Sequence, residues 1–314
     1  MFSVLASVLE PFVLIALGFV LRATKRFGDK TLWDGVEKLV FWVLFPPLLF
    51  NSVASAKLSG ADTAMFLIFG TLAMSTGVFL SRGVSRLAPS DPQTAASVRQ
   101  TGYRFNSYIC FSLALNMYGQ EALALVALLT GIWVPISNAI AVADLACASK
   151  KGSAPDVGEI IRSIFGNPLI LATLAGLAAN ILSQLTDFEI PHFVTQVFAS
   201  LGSASMATAL LAIGAGLAVE DFARYRRLIA LSSFQRLVVL PTVALLIAVL
   251  TGLTDTQTAA LMCYAVVPTA NSCYIMATRM GGNGAVVSDL TSVEVMASLV
   301  TIPLWCWALE TWIL

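Results

Sequence analysis

Residues 256–278 read TQTAALMCYAVVPTANSCYIMAT, an apolar run without a charged side chain that is interrupted near its middle by Pro268. A helix needs about 20 mostly apolar residues to cross the hydrocarbon core of a bilayer, so this run is long enough for one membrane span. Proline removes a backbone donor and opens the helix, and in lipid the freed carbonyl must be satisfied by protein, water or a ligand. The run therefore predicts a broken membrane helix.

Nine further apolar runs predict membrane spans in the same way. They lie at about 2–21, 39–56, 63–81, 105–120, 122–143, 163–186, 193–219, 237–254 and 295–309. Of the 314 residues, 58% are hydrophobic and 11% are charged, which is too few charges to cover the surface of a soluble fold. We therefore predict an all-α polytopic membrane protein with ten transmembrane helices, and the composition excludes soluble enzymes.

The distribution of lysine and arginine predicts the orientation of the ten spans. Fourteen of these residues, named below, lie in the odd-numbered connections, whereas the even-numbered connections carry only Lys57. Because basic loops stay on the cytoplasmic side, the odd connections are predicted to be cytoplasmic, with both termini outside the plasma (inner) membrane of the cell. The fourteen residues are Arg22, Lys25, Arg26, Lys30, Arg82, Arg86, Arg99, Lys150, Lys151, Arg162, Arg224, Arg226, Arg227 and Arg279.

Ten spans divide into five and five, and an odd number in each half places the second half upside down relative to the first. Short matches support such a duplication, because residues 10–14 resemble residues 167–171, and Asn106 and Asn271 are each followed by serine. The predicted divisions are a first five-helix repeat over 1–148, a cytoplasmic linker over 149–162, and a second, inverted five-helix repeat over 163–314.

Spans four and nine are the predicted position of a central site. Span four is crowded with polar groups around Asn106, and span nine carries Pro268-Thr269-Ala270-Asn271-Ser272 at mid-depth. Paired interrupted helices in two inverted halves are typical of a transporter's binding site. The N-terminal end of a half-helix offers unpaired N–H groups and a positive dipole end, which suit an anion. Prolines and single polar residues also kink or join membrane helices, but the paired placement favours a site. The candidate substrate-binding residues are Asn106, Ser107, Pro268, Thr269 and Asn271, with Asn51 and Asn138 of spans two and five.

Three ionisable residues within the spans are candidates for coupling or gating, since a charge in the bilayer is costly and is retained for a reason. Arg104 either extends to the membrane surface or attracts anions to the inner mouth of the carrier. Arg236 is a second candidate, with pairing to Asp144 or Glu220 as a structural alternative. Glu294 is the deepest carboxyl group and is the candidate for proton coupling.

Other motifs argue against enzymes and metal sites. The chain has a single histidine, His192, five cysteines without a CxxC motif, no GxxxxGK[ST] sequence and a net charge of zero. We therefore expect no catalytic site, metal site, cofactor or nucleic-acid partner. The Gly214-Ala215-Gly216 segment lacks the third glycine and the preceding strand of a dinucleotide site, and close packing of helices explains it better.

Short motifs occur in order along the whole chain. They are FPPLLF at 45–50, FNS at 105–107, ALNMYG at 114–119, LAIGAGL at 211–217, Arg236 with Pro241, and PTA at 268–270. In order and spacing these motifs resemble the auxin efflux carrier family, which includes plant PIN proteins and bacterial malonate and malate carriers. The chain has no long hydrophilic cytoplasmic loop, which makes it more similar to the bacterial branch.

This resemblance implies a scaffold domain and a transport domain, with helices four and nine crossing at broken points as in sodium/proton antiporters and bile-acid symporters. It also implies elevator-type alternating access and a carboxylate bound near the crossover. Asn106 matches the crossover asparagine of helix four, and Pro268 matches the crossover proline of helix nine. Unlike many relatives, the chain has no proline after Asn106, so the break in helix four is expected to depend on Gly102 and the polar run around it.

The sequence therefore predicts a secondary transporter of small organic anions, such as auxin-like or mono- and dicarboxylic acids. The alternative is a sodium- or proton-coupled symporter of another organic solute with the same architecture. The expected partners are the substrate anion and the bilayer, and a homodimer through the scaffold helices stays open.

Overall fold

The computed structural model describes residues 2–58, 60–148, 158, 165–186, 189–218 and 222–313, and all regular structure in these residues is helical. Its helices are α1 (Phe2–Ala23), α2 (Lys30–Leu39), α3 (Phe45–Ala54), α4 (Gly60–Leu87), α5 (Pro92–Arg99), α6 (Ser107–Ala148), α7 (Pro168–Leu185), α8 (His192–Ala215), α9 (Phe222–Phe234), α10 (Leu240–Thr251), α11 (Asp255–Ala265), α12 (Ser272–Arg279) and α13 (Gly284–Trp312).

Short segments of different winding connect some of these helices. Five-residue π-helical turns join α2 to α3 at Val40–Leu44 and α9 to α10 at Gln235–Val239. A 3₁₀ turn at Gln100–Gly102 follows α5. The predicted linker 149–162 lies outside the described residues except for Gly158.

Seven helical stretches in the described part of the chain are long and apolar enough to cross a membrane. The prediction of an all-α, multi-pass membrane protein is therefore confirmed. The stretches are Lys30–Ala54, Gly60–Leu87, Pro92–Ala148, Pro168–Leu185, His192–Ala215, Phe222–Thr251 and Gly284–Trp312.

The stretch Pro92–Ala148 is 57 residues long and contains predicted spans four and five. Gly119 lies at the end of predicted span four and has a φ of 77° and a ψ of −165°, so the chain leaves helical geometry there and α6 consists of two helices in series. A positive φ is accessible to glycine because it has no Cβ.

One group of helices consists of α1, α3, α7 and α8. The α3 helix packs against α7 and α8, and α1 packs against α8. The α1–α8 contact is a direct contact of backbones: a Cβ added to Gly214 would collide with the Ile15 carbonyl, and one added to Gly18 would collide with Leu211. The interpretation of the Gly214 segment as a helix-packing motif is therefore confirmed.

A second group consists of α4, α5, α6 and α9 to α13. Within it α11 packs against α6 and α10, α10 against α4, and α9 against α13. The two groups meet at several surfaces. At one of them, between α3 and α6, the Phe45 ring lies 5.0 Å from the Tyr108 ring and 5.5 Å from the Phe111 ring, centroid to centroid. Both interrupted helices therefore belong to the second group.

Candidate functional site

Two interruptions of helix form the candidate site. The first break, residues 103–106, lies between the 3₁₀ turn after α5 and the start of α6 at Ser107. The second break, residues 266–271, lies between the end of α11 at Ala265 and the start of α12 at Ser272. Pro268 is inside the second break, where the apolar run predicted an interruption.

The two breaks are in direct contact. The Asn106 backbone N–H donates to the Pro268 carbonyl oxygen at 2.8 Å. The Phe105 and Tyr264 rings lie 3.8 Å apart, centroid to centroid, with their planes at 32°. Each break thus satisfies backbone groups or covers side chains of the other, as buried non-helical backbone at membrane depth requires.

Asn106 caps the helix that follows the first break. Its side-chain Oδ1 accepts from the backbone N–H groups of Tyr108 and Ile109, both at 3.1 Å. Only 2% of the Asn106 surface is exposed. Asparagine is among the best N-cap residues because its oxygen replaces a missing helical acceptor. Asn106 therefore lies at the crossover, as predicted, and its side chain caps α6.

Neutral donors satisfy the carbonyl end of the helix that precedes the first break. The Gln235 side chain donates to the Gly102 carbonyl at 3.1 Å, and the Trp133 ring N–H donates to the Tyr103 carbonyl at 2.9 Å. A Cβ added to Gly102 would collide with the Gln235 side-chain oxygen and lie 2.8 Å from the Ser81 Cβ. The glycine expected at this break is thus required by close approach.

A cation satisfies the carbonyl end of α11 at the second break. Arg236, fully buried, donates to the Ala265 carbonyl at 3.1 Å and the Tyr264 carbonyl at 3.4 Å. The last carbonyls of a helix have no helical partner and carry its negative dipole end, so a guanidinium there is favourable.

Asp144, one of the two predicted alternative partners of Arg236, pairs with other residues. Asp144 instead pairs with Arg99 at 3.3 Å and with Arg82 at 3.7 Å, which ties α6 to α5 and α4. Pairing of Arg236 with Asp144 was therefore a wrong expectation, and Glu220 lies outside the described residues.

Glu294 of α13 contacts the second break at Thr269, beyond the carbonyls that Arg236 binds. Its Oε2 accepts from the Thr269 backbone N–H at 2.8 Å, and the side chain is fully buried. Its Oε1 has no hydrogen-bond partner among the described residues. The second break therefore holds a buried guanidinium and a buried carboxyl group.

Arg104 joins the two breaks. Its guanidinium donates to the Gln100 side-chain oxygen and to the Ser272 hydroxyl, both at 2.8 Å. Only 7% of its surface is exposed, so Arg104 does not extend to the membrane surface. Ser272 itself is exposed, and the positive charge consequently lies just behind the accessible edge of the crossover.

The accessible edge of the crossover is formed by half-buried residues with one exposed residue. Asn271 on this edge makes no side-chain capping bond to α12, unlike Asn106 at the equivalent place before α6, and Thr269 is fully buried. The edge consists of Ser107, Tyr108, Ala270, Asn271 and Ser272.

Two predicted site residues are not joined to the breaks by hydrogen bonds. The Asn51 amide donates to the Thr195 carbonyl at 3.1 Å and so links α3 to α8. Asn138 lies on α6 beyond Gly119, and its Oδ1 has no hydrogen-bond partner among the described residues. Within the described part of the chain, no group of His, Cys, Asp or Glu is arranged to hold a metal ion.

Two comparisons with known proteins point to membrane transport. The model of a family described as membrane transport protein matches residues 157–306. A protein of Rhizobium meliloti (strain 1021), named "Putative malonate transporter", is 29% identical over 288 residues, which is 87% of this chain and 86% of that protein. The two comparisons agree with the resemblance of the motifs to the auxin efflux carrier family, and they point to a membrane transporter and not to an enzyme.

Sequence reasoning missed three residues that hold the crossover together. Gln100 donates to the Cys273 carbonyl at 3.1 Å, and Gln235 and Trp133 bind the carbonyls of the first break. A glutamine within an apolar span is a signal that could have identified Gln235, because an uncharged amide in lipid needs a partner. Trp133 in an apolar helix gives no such signal.

Proposed function

We propose that the chain is a secondary carrier of small organic anions, mono- or dicarboxylates, that bind at the accessible edge of the crossover. The observation that carries this proposal is Arg104, which donates to Ser272 and thereby lies directly behind that edge. A charge-assisted hydrogen bond from arginine to a carboxylate is about twice as strong as a neutral one, and the guanidinium matches carboxylate geometry.

The helix termini add to the attraction for an anion. The α6 and α12 helices begin at Ser107 and Ser272, so two N-terminal ends with positive dipole character meet at the crossover. The hydroxyls of both serines and the Asn271 amide supply neutral hydrogen bonds. A carboxylate is the ligand that this combination suits best, and the name of the Rhizobium meliloti relative is consistent with a dicarboxylate.

We further propose ten membrane spans in two inverted five-helix repeats, over 1–148 and 163–314, with a cytoplasmic linker over 149–162. In support, α6 consists of two helices joined at Gly119, α1 is 22 residues long, and α11 and α12 together extend from Asp255 to Arg279. The scaffold would be the group of α1, α3, α7 and α8, and this group would also form the surface for a homodimer. The second group would move against the scaffold in an elevator-type cycle.

Single-cysteine labelling tests this topology. In a background with the five native cysteines replaced, Thr24→Cys and Ser55→Cys place thiols in exposed connections of described structure. With both termini outside the inner membrane, an impermeant maleimide added to whole cells should label Ser55→Cys and leave Thr24→Cys unlabelled. Labelling of both from the same side contradicts the ten-span arrangement.

A proton-coupled carrier is the second candidate, and Glu294 favours it. Its Oε1 is buried and without a partner among the described residues, so it is a place where a proton can reside. The ionised carboxylate balances Arg236, whereas the protonated one leaves the arginine charge uncompensated. Protonation would therefore make the crossover more positive and favour an anion, which couples the two ligands.

Transport assays on purified protein in proteoliposomes test the main proposal. We expect uptake of radiolabelled malonate above that of protein-free liposomes, competition by unlabelled mono- and dicarboxylates, and no competition by the uncharged malonamide. The matched pair malonate and malonamide isolates the carboxylate charge at nearly constant shape. Equal competition by malonamide, or no carboxylate uptake at all, would refute an anion carrier of this class.

A further inference from the structure

The π-helical turn Gln235–Val239 presents two neighbouring donors to the two breaks. Gln235 donates to the carbonyl end before the first break, at Gly102, and Arg236 donates to the carbonyl end before the second break, at Ala265 and Tyr264. The same structural task is thus met by a neutral amide in one case and by a full positive charge in the other. Isolated π-helical turns often lie at functional sites.

The Arg236 guanidinium lies where carriers with broken helices bind their coupling cation. In carriers with broken helices, unwound carbonyls and the C-terminal ends of half-helices coordinate the coupling cation. Here those carbonyls, Tyr264 and Ala265, accept from Arg236, and the carboxyl group of Glu294 contacts the same break at the Thr269 N–H. A buried arginine stays protonated and is held by its own helix, so its charge does not dissociate.

We propose that Arg236 is a built-in cation that occupies the place of a coupling sodium ion at the second break. The carrier therefore works without sodium, and the positive charge of Arg236 stays in place through the transport cycle. This inference rests on the proposed carrier function only for its transport measurements, and the stability measurements below are independent of any substrate.

Wild-type protein gives the first test, which needs no variant. Uptake of malonate into proteoliposomes should be equal in sodium chloride and in choline chloride of the same ionic strength. The Tm of the purified protein should also be equal in the two salts. A Tm that rises saturably with sodium, or uptake that requires sodium, would overturn the inference. Failure of malonate uptake together with equal Tm values would count against the proposed substrate class alone.

Chemical rescue gives the second test. In Arg236→Ala the carbonyls of Tyr264 and Ala265 lose their cation, so guanidinium at millimolar concentration should bind there, raise the Tm by about 2 °C or more, and restore uptake. Sodium should do the same more weakly. Arg236→Lys, which retains a positive charge, should need no added ion.

The exposed Arg279 of α12 supplies the matched control, because Arg279→Ala removes the same side chain where no break carbonyl depends on it. Guanidinium should not change the Tm of this variant. If Arg236→Ala is fully stable and active without guanidinium or sodium, Arg236 is not a required cation. If it does not fold, Arg236→Lys and the wild-type salt comparison decide: sodium stabilisation of either protein would overturn the inference, and its absence from both supports it.

Discussion

The two breaks solve the same structural problem with different chemistry. At the first break, neutral groups satisfy the exposed backbone: the Asn106 amide oxygen caps α6, and Gln235 and Trp133 bind the carbonyls. At the second break, charged side chains do so: Arg236 binds the carbonyl end of α11, and Glu294 binds the Thr269 N–H.

This difference separates two tasks within one crossover. The charges at the second break balance each other and are fully buried, so they contribute little net attraction for an anion while Glu294 is ionised. Arg104, which is part of the first break, donates to the neutral side chains of Gln100 and Ser272 and lies behind the accessible edge. We therefore expect anion binding to depend on the first break and coupling to depend on the second.

The largest expected effect is on Arg104. Arg104→Gln removes the charge beside the accessible edge, and a hydrogen bond to a charged group contributes about 1.5–3 kcal/mol, so the KM for malonate should rise by about 10- to 100-fold. Arg104→Lys should retain part of the affinity. Arg279→Gln removes an exposed arginine on α12 and is the control for a general loss of charge. An unchanged KM in Arg104→Gln would assign binding to some other group.

Glu294→Gln tests whether the second break carries the coupling. With the membrane potential held at zero and the pH one unit lower on the side of substrate entry, a carrier of one proton can accumulate substrate about tenfold. Glu294→Gln should lose this accumulation and keep substrate exchange, because its amide oxygen still accepts from Thr269. Glu310→Gln, at an exposed position of the same helix, is the control. Accumulation equal to wild type would exclude Glu294.

Replacing Asn106 by alanine and by serine tests the capping of α6. Loss of an asparagine N-cap costs about 1 kcal/mol, so Asn106→Ala should lower the Tm and reduce turnover about fivefold. Serine also caps helices, and Asn106→Ser should recover most of the Tm. If the serine and alanine variants are equally impaired, the Asn106 amide acts on the substrate and not on the helix.

The smallest effect is expected at the equivalent asparagine of the second break. Asn271 makes no capping bond, so Asn271→Ala should leave the Tm unchanged. Loss of one neutral hydrogen bond to the substrate should raise the KM about threefold. A drop in Tm comparable to that of Asn106→Ala would show that the two breaks are more alike than their hydrogen bonds indicate.

Local patterns in the sequence predicted the helices and the positions of the breaks. Apolar runs identify membrane helices, and Pro268 interrupts a helix through its own ring and missing N–H, which does not depend on distant partners. The partners themselves were not predictable. Asp144 was a plausible partner for Arg236 by charge, but Arg236 binds backbone carbonyls, and a carbonyl looks the same at every residue of a sequence.

The candidate site residues divide in the same way. Asn106, Ser107, Pro268, Thr269 and Asn271 were predicted from their place in the two interrupted spans, and the structure gathers all of them at the crossover. Asn51 is equally polar and equally deep in a span, yet its amide is used by Thr195. Which polar side chains form hydrogen bonds to a neighbouring helix depends on the fold and cannot be seen in the sequence.

The glycine contact between α1 and α8 has a mechanical consequence. Helices whose backbones touch at Gly18 and Gly214 have no layer of side chains between them that could re-pack, and interlocked surfaces of this kind resist sliding. We therefore expect α1 and α8 to move together as one rigid unit. Any shear between the two helix groups would be taken up at the surfaces where the groups meet, among them the α3–α6 contact, where the Phe45 ring packs against Tyr108 and Phe111.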